Sequence, residues 1–189
     1  MLAGGPVVWF LGQSIIRRLG DQVRRHRIPH DFVPVWIGIG GAVVEVVRQA
    51  FLDSIITRTP PDYVVLHAGG NDLAVRHSGP LRHRLCELLL EIQHHLPHAT
   101  IVWSNILPRR HYKHAINDSK VDSARGAVNR YVTKFASNHG ICTIKHSAVT
   151  RWDSEDFLAD GVHLSDWGNL KFKTELWQAI YQHIQAHDL

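Results

Sequence analysis

The chain has no long hydrophobic run. None of its apolar stretches approaches the roughly 20 residues that a helix needs to span a bilayer. The N-terminal stretch MLAGGPVVWFLGQS has no basic residue ahead of its short apolar segment, which is typical of a buried strand. We therefore expect neither a membrane-spanning helix nor a signal peptide.

Cysteine is scarce, because Cys86 and Cys142 are the only two in 189 residues. They form no Cys-x-x-Cys pair, so no disulfide framework is predicted and a reducing, cytoplasmic compartment is expected. The 15 histidines are scattered, and no HExxH or Cys/His spacing indicates a metal site. We expect neither a metal nor an organic cofactor.

Repeats, low-complexity tracts and linker-like segments are also missing, so residues 1–189 are predicted to form a single domain. The net charge is +4, and basic residues cluster at 24–27 and 109–113. These clusters are interpreted either as solvated surface or as an electrostatic contact with phosphate groups, such as those of an anionic membrane. Sequence-specific nucleic-acid binding is not predicted, because zinc-knuckle, RNP and helix-turn-helix signatures are absent.

Short apolar runs alternate with longer amphipathic segments along the chain. The predicted strands are 7–11, 32–37, 63–67, 100–106 and 141–144. The predicted helices are 14–26, 41–57, 80–96, 118–138 and 167–187. This alternation predicts an α/β fold, with a five-stranded parallel sheet covered by helices on both faces. Functional residues of such sheets gather at the carboxyl ends of the strands.

Three predicted strands are followed by residues suited to acyl-transfer chemistry. Ser14 begins a helix, where a developing negative charge is favoured, and is interpreted either as a nucleophile or as an N-cap. Gly41, in Gly-Ile-Gly-Gly, offers a backbone N–H to an oxyanion or forms a tight turn. Asn71, in Ala-Gly-Gly-Asn-Asp, offers a side-chain amide to an oxyanion or forms a hydrogen-bonded turn.

The late segment DFLADGVHLSDWG places Asp160 three residues before His163. Within a single turn the carboxylate reaches one imidazole nitrogen, sets the tautomer and stabilises the imidazolium. A histidine held in this way is the base that a serine nucleophile needs. The alternative is a surface turn with a helix cap, and Asp153 and Asp156 are competing carboxylates.

The blocks FLGQS, IGGAV, AGGND and DGVHLS follow one another over nearly the whole chain. With these blocks the sequence resembles the SGNH hydrolases, also called the GDSL-type esterase/lipase superfamily. The resemblance implies a flavodoxin-like three-layer α/β/α sandwich. It also implies Ser14 as nucleophile and Asp160 and His163 as its triad partners. The implied oxyanion hole consists of the N–H groups of Ser14 and Gly41 and the amide of Asn71.

The resemblance implies a serine esterase acting on small acyl esters, such as acetyl esters, and possible partners include lipids. The family usually has aspartate where this chain has Gln13. Because glutamine both donates and accepts hydrogen bonds, we expect altered loop support and retained chemistry. The alternative is a weakly active or inactive binding module for an acylated lipid or sugar, or for an anionic membrane surface.

A looser resemblance rests on FLGQSIIRRL and the compact size. It is to the esterase-like domains in first open reading frame proteins of vertebrate LINE-type retrotransposons, and to the platelet-activating-factor acetylhydrolase branch. This implies that the esterase is part of a larger retroelement protein.

Overall fold

The computed structural model describes residues 5–26, 31–73, 78–113 and 115–187. The strands are Val7–Gly12 (β1), Val33–Gly38 (β2), Tyr63–His67 (β3), Thr100–Ser104 (β4) and Cys142–Ile144 (β5). The α-helices are Ser14–His26 (α1), Val44–Thr57 (α2), Ser78–His95 (α3), Asp118–Asn138 (α4) and Asp166–His187 (α5). None of these helices, as far as the chain is described, is long and apolar enough to cross a membrane.

The five strands form one parallel sheet in the order β2-β1-β3-β4-β5. Successive residues of a strand point to opposite faces of a sheet, and in β1 both faces are buried. Trp9 and Leu11 pack on one side with α2, α3 and α4. Val8 and Phe10 pack on the other side with α1 and α5. The predicted three-layer α/β/α fold is therefore confirmed.

Every predicted strand and helix is present, and the differences lie at the element ends. Helix α2 begins at Val44 instead of residue 41, because Gly41 has a φ of 71°, outside the right-handed helical region. Strand β4 ends at Ser104 instead of residue 106, where its pairing partner Ile144 also ends β5. Both cysteines are free. Arg27, part of the basic cluster at 24–27, lies outside the described residues.

Gly12 ends β1 beside His67, the last residue of β3. A Cβ added at position 12 would lie 2.2 Å from the backbone oxygen of His67 and 2.9 Å from Cγ1 of Ile16. The contact with the His67 oxygen cannot be relieved without a backbone shift, so the paired strand ends need a residue without a side chain at this position.

We predict that Gly12→Ala lowers the free energy of unfolding by about 2–4 kcal/mol, because the methyl group has no room. Urea denaturation measures this loss. Gly126→Ala in α4 is the control, because a Cβ there would meet only Nη1 of Arg130, at 3.4 Å. It should stabilise the protein by about 0.5–1 kcal/mol. Equal stabilities of wild type and Gly12→Ala would contradict the close approach.

Candidate active site

The crevice between the carboxyl ends of β1 and β3 is the topological switch point of the sheet. From β1 the chain crosses to β2 on one side and then to β3 on the other. Gly12 is paired with Gly38 of β2 and with His67 of β3. Open parallel sheets bind ligands at such a point. Ser14 and Asn71 follow the two strands that border it.

Ser14 is the first residue of α1. The carbonyl of Gln13 accepts the N–H of Arg17 at 3.2 Å, so Gln13 occupies the capping position and Ser14 does not. The N–H of Ser14 is then one of the donors without an intrahelical acceptor, at the positive end of the helix dipole. Ser14 itself is 6% exposed. Its surroundings suit a negative charge that develops near the hydroxyl.

Gly41 lies in the turn between β2 and α2, and its φ of 71° is in the left-handed region. A non-glycine residue is strained there even though a Cβ would meet nothing within 4 Å. Position 41 thus favours glycine for the turn. The role of the Gly41 N–H as an oxyanion donor remains a prediction.

The side-chain amide of Gln13 connects the segments that follow β1, β2 and β3. Its Nε2 donates to the carbonyl of Ala42 at 2.7 Å and to Oδ2 of Asp72 at 3.4 Å. Its Oε1 accepts the backbone N–H of Asn71 at 3.4 Å. The Ala42 carbonyl also accepts a hydrogen bond from Nδ2 of Asn71 at 2.9 Å. Two oxyanion candidates, on different loops, are therefore held by one buried amide.

Asp72, which is fully buried, stabilises the start of α2 from the neighbouring loop. Its Oδ1 accepts the N–H of Val44 at 3.2 Å. Helix α2 has no capping side chain of its own, since its N-cap residue is Val43. The carboxylate thus binds an orphan donor at the positive helix end.

These contacts show what glutamine does at position 13 in this fold. An aspartate there would have no N–H for the Ala42 carbonyl, and its carboxylate would face that of Asp72. The expectation of altered loop support agrees with this geometry, since the Gln13 amide makes the contacts that connect the loops.

Asp160 and His163 form a close pair in the turn before α5. Nδ1 of His163 lies 2.6 Å from Oδ2 of Asp160, and Oδ1 of Asp160 accepts the N–H groups of Val162 and His163, each at 2.9 Å. Partial burial opposes ionisation, but the hydrogen bonds from His163 and Val162 outweigh it and lower the pKa of Asp160 to about 2. The carboxylate is ionised at neutral pH and sets the orientation of the imidazole.

The side chain of His163 is 25% exposed, so its ring remains accessible. Within the described residues no hydrogen bond joins it to Ser14. The contact between His163 and Ser14 therefore stays a prediction.

Asp153 and Asp156, the carboxylates that the sequence offers as alternatives to Asp160, both contact Lys171 instead of His163. Asp156 is fully buried and accepts hydrogen bonds from Lys171 at 2.6 Å and from the N–H of Thr150 at 3.1 Å. Asp153 accepts from the same lysine at 3.1 Å. Both carboxylates hold the segment before α5, while Asp160 is the one that contacts His163.

Arg109 is a residue that the sequence did not single out. The basic cluster at 109–113 is interpreted from the sequence either as solvated surface or as a contact with phosphate groups, yet Arg109 is only 6% exposed and its Nη2 donates to Oδ1 of Asn71 at 2.9 Å. Burial lowers its pKa, while Tyr112, Asp160 and Asp72 act in the opposite direction. The signal that could have found it is its position in the segment that follows β4.

The segment after β4 also supports the Asp160–His163 turn. The carbonyl of Gly161 accepts the N–H groups of Arg110 at 2.8 Å and of His111 at 3.1 Å. Tyr112, in the same segment, is 3% exposed and donates its hydroxyl to Asp122.

A second serine–histidine–carboxylate arrangement lies at the ends of β4 and β5. Oγ of Ser104 is 2.7 Å from Nε2 of His146, and Nδ1 of His146 is 2.9 Å from Oε2 of Glu175. Nδ1 of His67 is also 2.9 Å from Oγ of Ser104. Partial burial is outweighed by hydrogen bonds, from His146 above all, which lower the pKa of Glu175.

Burial distinguishes this second arrangement from the first. Ser104 is 0% exposed and the side chain of His146 is 1% exposed. Burial above all, with the charges of His146 and Arg109, lowers the pKa of His67 to about 3, so this imidazole is neutral at physiological pH. The Ser104 hydroxyl thus contacts two histidines and offers no surface to a substrate.

Comparison with known proteins identifies the family. The sequence profile of the GDSL-like Lipase/Acylhydrolase family matches residues 4–171. No curated protein sequence gave a significant match. The chain belongs to the GDSL-like lipase/acylhydrolase family, a family of carboxylic ester hydrolases.

Solved structures share the fold at low sequence identity. A GDSL-like lipase from Bacteroides thetaiotaomicron is 17% identical with a TM-score of 0.75, over 94% of this chain and 89% of that one. The lipase/acylhydrolase of Enterococcus faecalis is 16% identical with a TM-score of 0.73, over 94% and 96%. A catalytic mutant of an acetylxylan esterase from Geobacillus stearothermophilus is 15% identical with a TM-score of 0.68, over 94% and 95%.

We predict that His67 makes the protein acid-sensitive. Its pKa is about 3 when folded and near 6.5 when unfolded, so the unfolded chain binds the extra proton as pH falls below 6.5. Between pH 7.5 and pH 5.0 this costs about 2 kcal/mol of unfolding free energy.

The His67→Asn variant removes the titrating ring and should lose about 2 kcal/mol less than wild type over this interval, as measured by urea denaturation at both pH values. His98→Asn, at an exposed position, is the control and should keep the wild-type pH dependence. An unchanged pH dependence in His67→Asn would contradict the assignment.

Proposed function

We propose that the chain is a serine esterase that hydrolyses small acyl esters, acetyl esters among them, with Ser14 as nucleophile. The observation that carries this proposal is the Asp160–His163 pair, with its 2.6 Å hydrogen bond and its ionised carboxylate. Such a pair is what a serine at a helix N-terminus needs for its activation. The family membership of the chain supports the same reaction class.

In the proposed mechanism, His163 removes the proton of Ser14 while Oγ attacks the ester carbonyl. Asp160 orients His163 and stabilises the imidazolium. The oxyanion accepts hydrogen bonds from the N–H groups of Ser14 and Gly41 and from Nδ2 of Asn71. The imidazolium then protonates the leaving alcohol, and His163 activates the water that releases the acyl group from the serine.

The choice of Ser14 over Ser104 rests mainly on the exposure of the neighbouring base, because Ser14 is itself only 6% exposed. Both serines lie at carboxyl ends of strands, and Ser104 has the closer histidine contact, at 2.7 Å. However, Ser104 is fully buried and its oxygen contacts His67 as well. The imidazole of His163, in contrast, is 25% exposed and can meet both a substrate and its leaving group.

The alternative of an inactive binding module rests on Gln13, whose contacts are those of loop support. The basic cluster at 24–27, one of the two that suggested an anionic membrane, is partly neutralised, since Arg24 pairs with Asp21. Lipid-linked substrates remain within the proposed ester class, and the retrotransposon resemblance stays a prediction.

The first test compares p-nitrophenyl acetate hydrolysis and fluorophosphonate labelling in wild type, Ser14→Ala and Ser104→Ala. We expect both signals to vanish in Ser14→Ala, because its nucleophile is gone. Ser104→Ala should still take the label, and mass spectrometry should locate it on Ser14. A label on Ser104, or activity that survives in Ser14→Ala, would refute the assignment.

The oxyanion assignment predicts that Asn71→Ala lowers kcat for this ester by about 10²–10³-fold, because one donor to the transition state is lost. Steady-state kinetics measures the effect. Asn105→Ala is the control: this asparagine follows β4, accepts from the Thr133 hydroxyl and should leave kcat near wild type. Wild-type turnover in Asn71→Ala would remove Asn71 from the oxyanion hole.

A further inference from the structure

Both ends of the Asn71 side-chain amide are held by hydrogen bonds. Oδ1 accepts from Nη2 of Arg109 at 2.9 Å, and Nδ2 donates to the Ala42 carbonyl at 2.9 Å. A flipped amide would place oxygen against the carbonyl and N–H against the guanidinium, and both contacts would be repulsive. The orientation is therefore set, and Nδ2 keeps a second N–H beyond the one that Ala42 accepts.

We propose that Arg109 is a positioning residue for the oxyanion hole, acting through Asn71. This inference rests on the proposed function, in which the second N–H of Asn71 stabilises the oxyanion. Arg109 holds the amide in the one orientation that presents this N–H and polarises it, because a hydrogen bond from a cation to Oδ1 strengthens Nδ2 as a donor.

The burial of the guanidinium strengthens the argument. Arginine stays protonated in proteins even where burial lowers its pKa, as it does at Arg109. Its charge acts at low dielectric, where electrostatic interactions are stronger than in water. Tyr112 and the carboxylates of Asp160 and Asp72 act against that lowering of the pKa.

The loop that carries Asn71 is shaped for this contact. A Cβ added at Gly70 would lie 2.8 Å from Nη2 of Arg109 and 3.3 Å from Oε1 of Gln13. The absence of a side chain at Gly70 thus lets the guanidinium approach the loop backbone. Gly70 does not have a positive φ, so alanine at this position would fill the space next to the guanidinium without straining the backbone.

The test is a double-mutant cycle on kcat and KM for p-nitrophenyl acetate, with Arg109→Met, Asn71→Ala and the double variant. We expect Arg109→Met to lower kcat by about 10-fold or more with little change in KM. In the Asn71→Ala background the same substitution should change kcat by less than about 3-fold, since its target is gone. Arg109→Lys, which keeps the charge, should recover part of the lost kcat.

Arg125→Met is the control for a structural effect, because Arg125 binds the Ile106 carbonyl and Asp122 from α4 and does not contact Asn71. Its effect on kcat should be equal in both backgrounds. If Arg109→Met does not fold, Gly70→Ala displaces the guanidinium while keeping its charge, and should lower kcat only when Asn71 is present.

The outcomes separate the two proposals. If Asn71→Ala has wild-type kcat, the oxyanion assignment fails and the inference about Arg109 fails with it. If Asn71→Ala is slow, but removal or displacement of Arg109 lowers kcat equally in both backgrounds, only the inference about Arg109 is overturned. A change confined to KM or to unfolding free energy would overturn it as well.

Discussion

The candidate site depends on the hydrogen bonds of one buried amide, that of Gln13. The proposed oxyanion donors come from loops that follow separate strands. Along the chain, at least one whole helix separates each of these loops from the next. Gln13 reaches the Ala42 carbonyl and the Asn71 N–H at once, and its Nε2 faces Asp72. A buried polar group left without its hydrogen bond costs about 1–3 kcal/mol. Displacing one of these loops would therefore leave groups on the other loops unpaired, so the loops stabilise one another.

Burial, more than spacing, is our reason for proposing the Asp160–His163 pair as the catalytic one instead of the Ser104–His146–Glu175 chain. The Ser104–His146–Glu175 chain has short contacts throughout, but it is enclosed between the sheet and α5 and includes the neutral His67. A network satisfied in this way at low dielectric rigidifies the ends of β3, β4 and β5. The Asp160–His163 pair is partly exposed, and this exposure is why the proposed reaction is assigned to it.

The strands and helices were predictable because their signals are local. A buried parallel strand is a continuous apolar run, and an amphipathic helix repeats every 3.6 residues. Asp160 and His163 are three residues apart, so their contact was predictable as well. The contact between Arg109 and Asn71 spans 38 residues, and that between Ser104 and His146 spans 42. Contacts between residues so far apart depend on the order of the strands in the sheet. The alternation of strands and helices along the chain does not determine that order.

By itself, the sequence determined the α/β class, the candidate residues after each strand and the Asp160–His163 contact, because each follows from periodicity or from neighbours along the chain. Only the tertiary structure decided the strand order, the burial of Arg109 against Asn71 and the enclosure of Ser104. The physical reason is that burial and long-range hydrogen bonds belong to the packed sheet and helices. The residues next to Ser104 and Arg109 in the sequence indicate neither that these two side chains are buried nor which distant residues they contact.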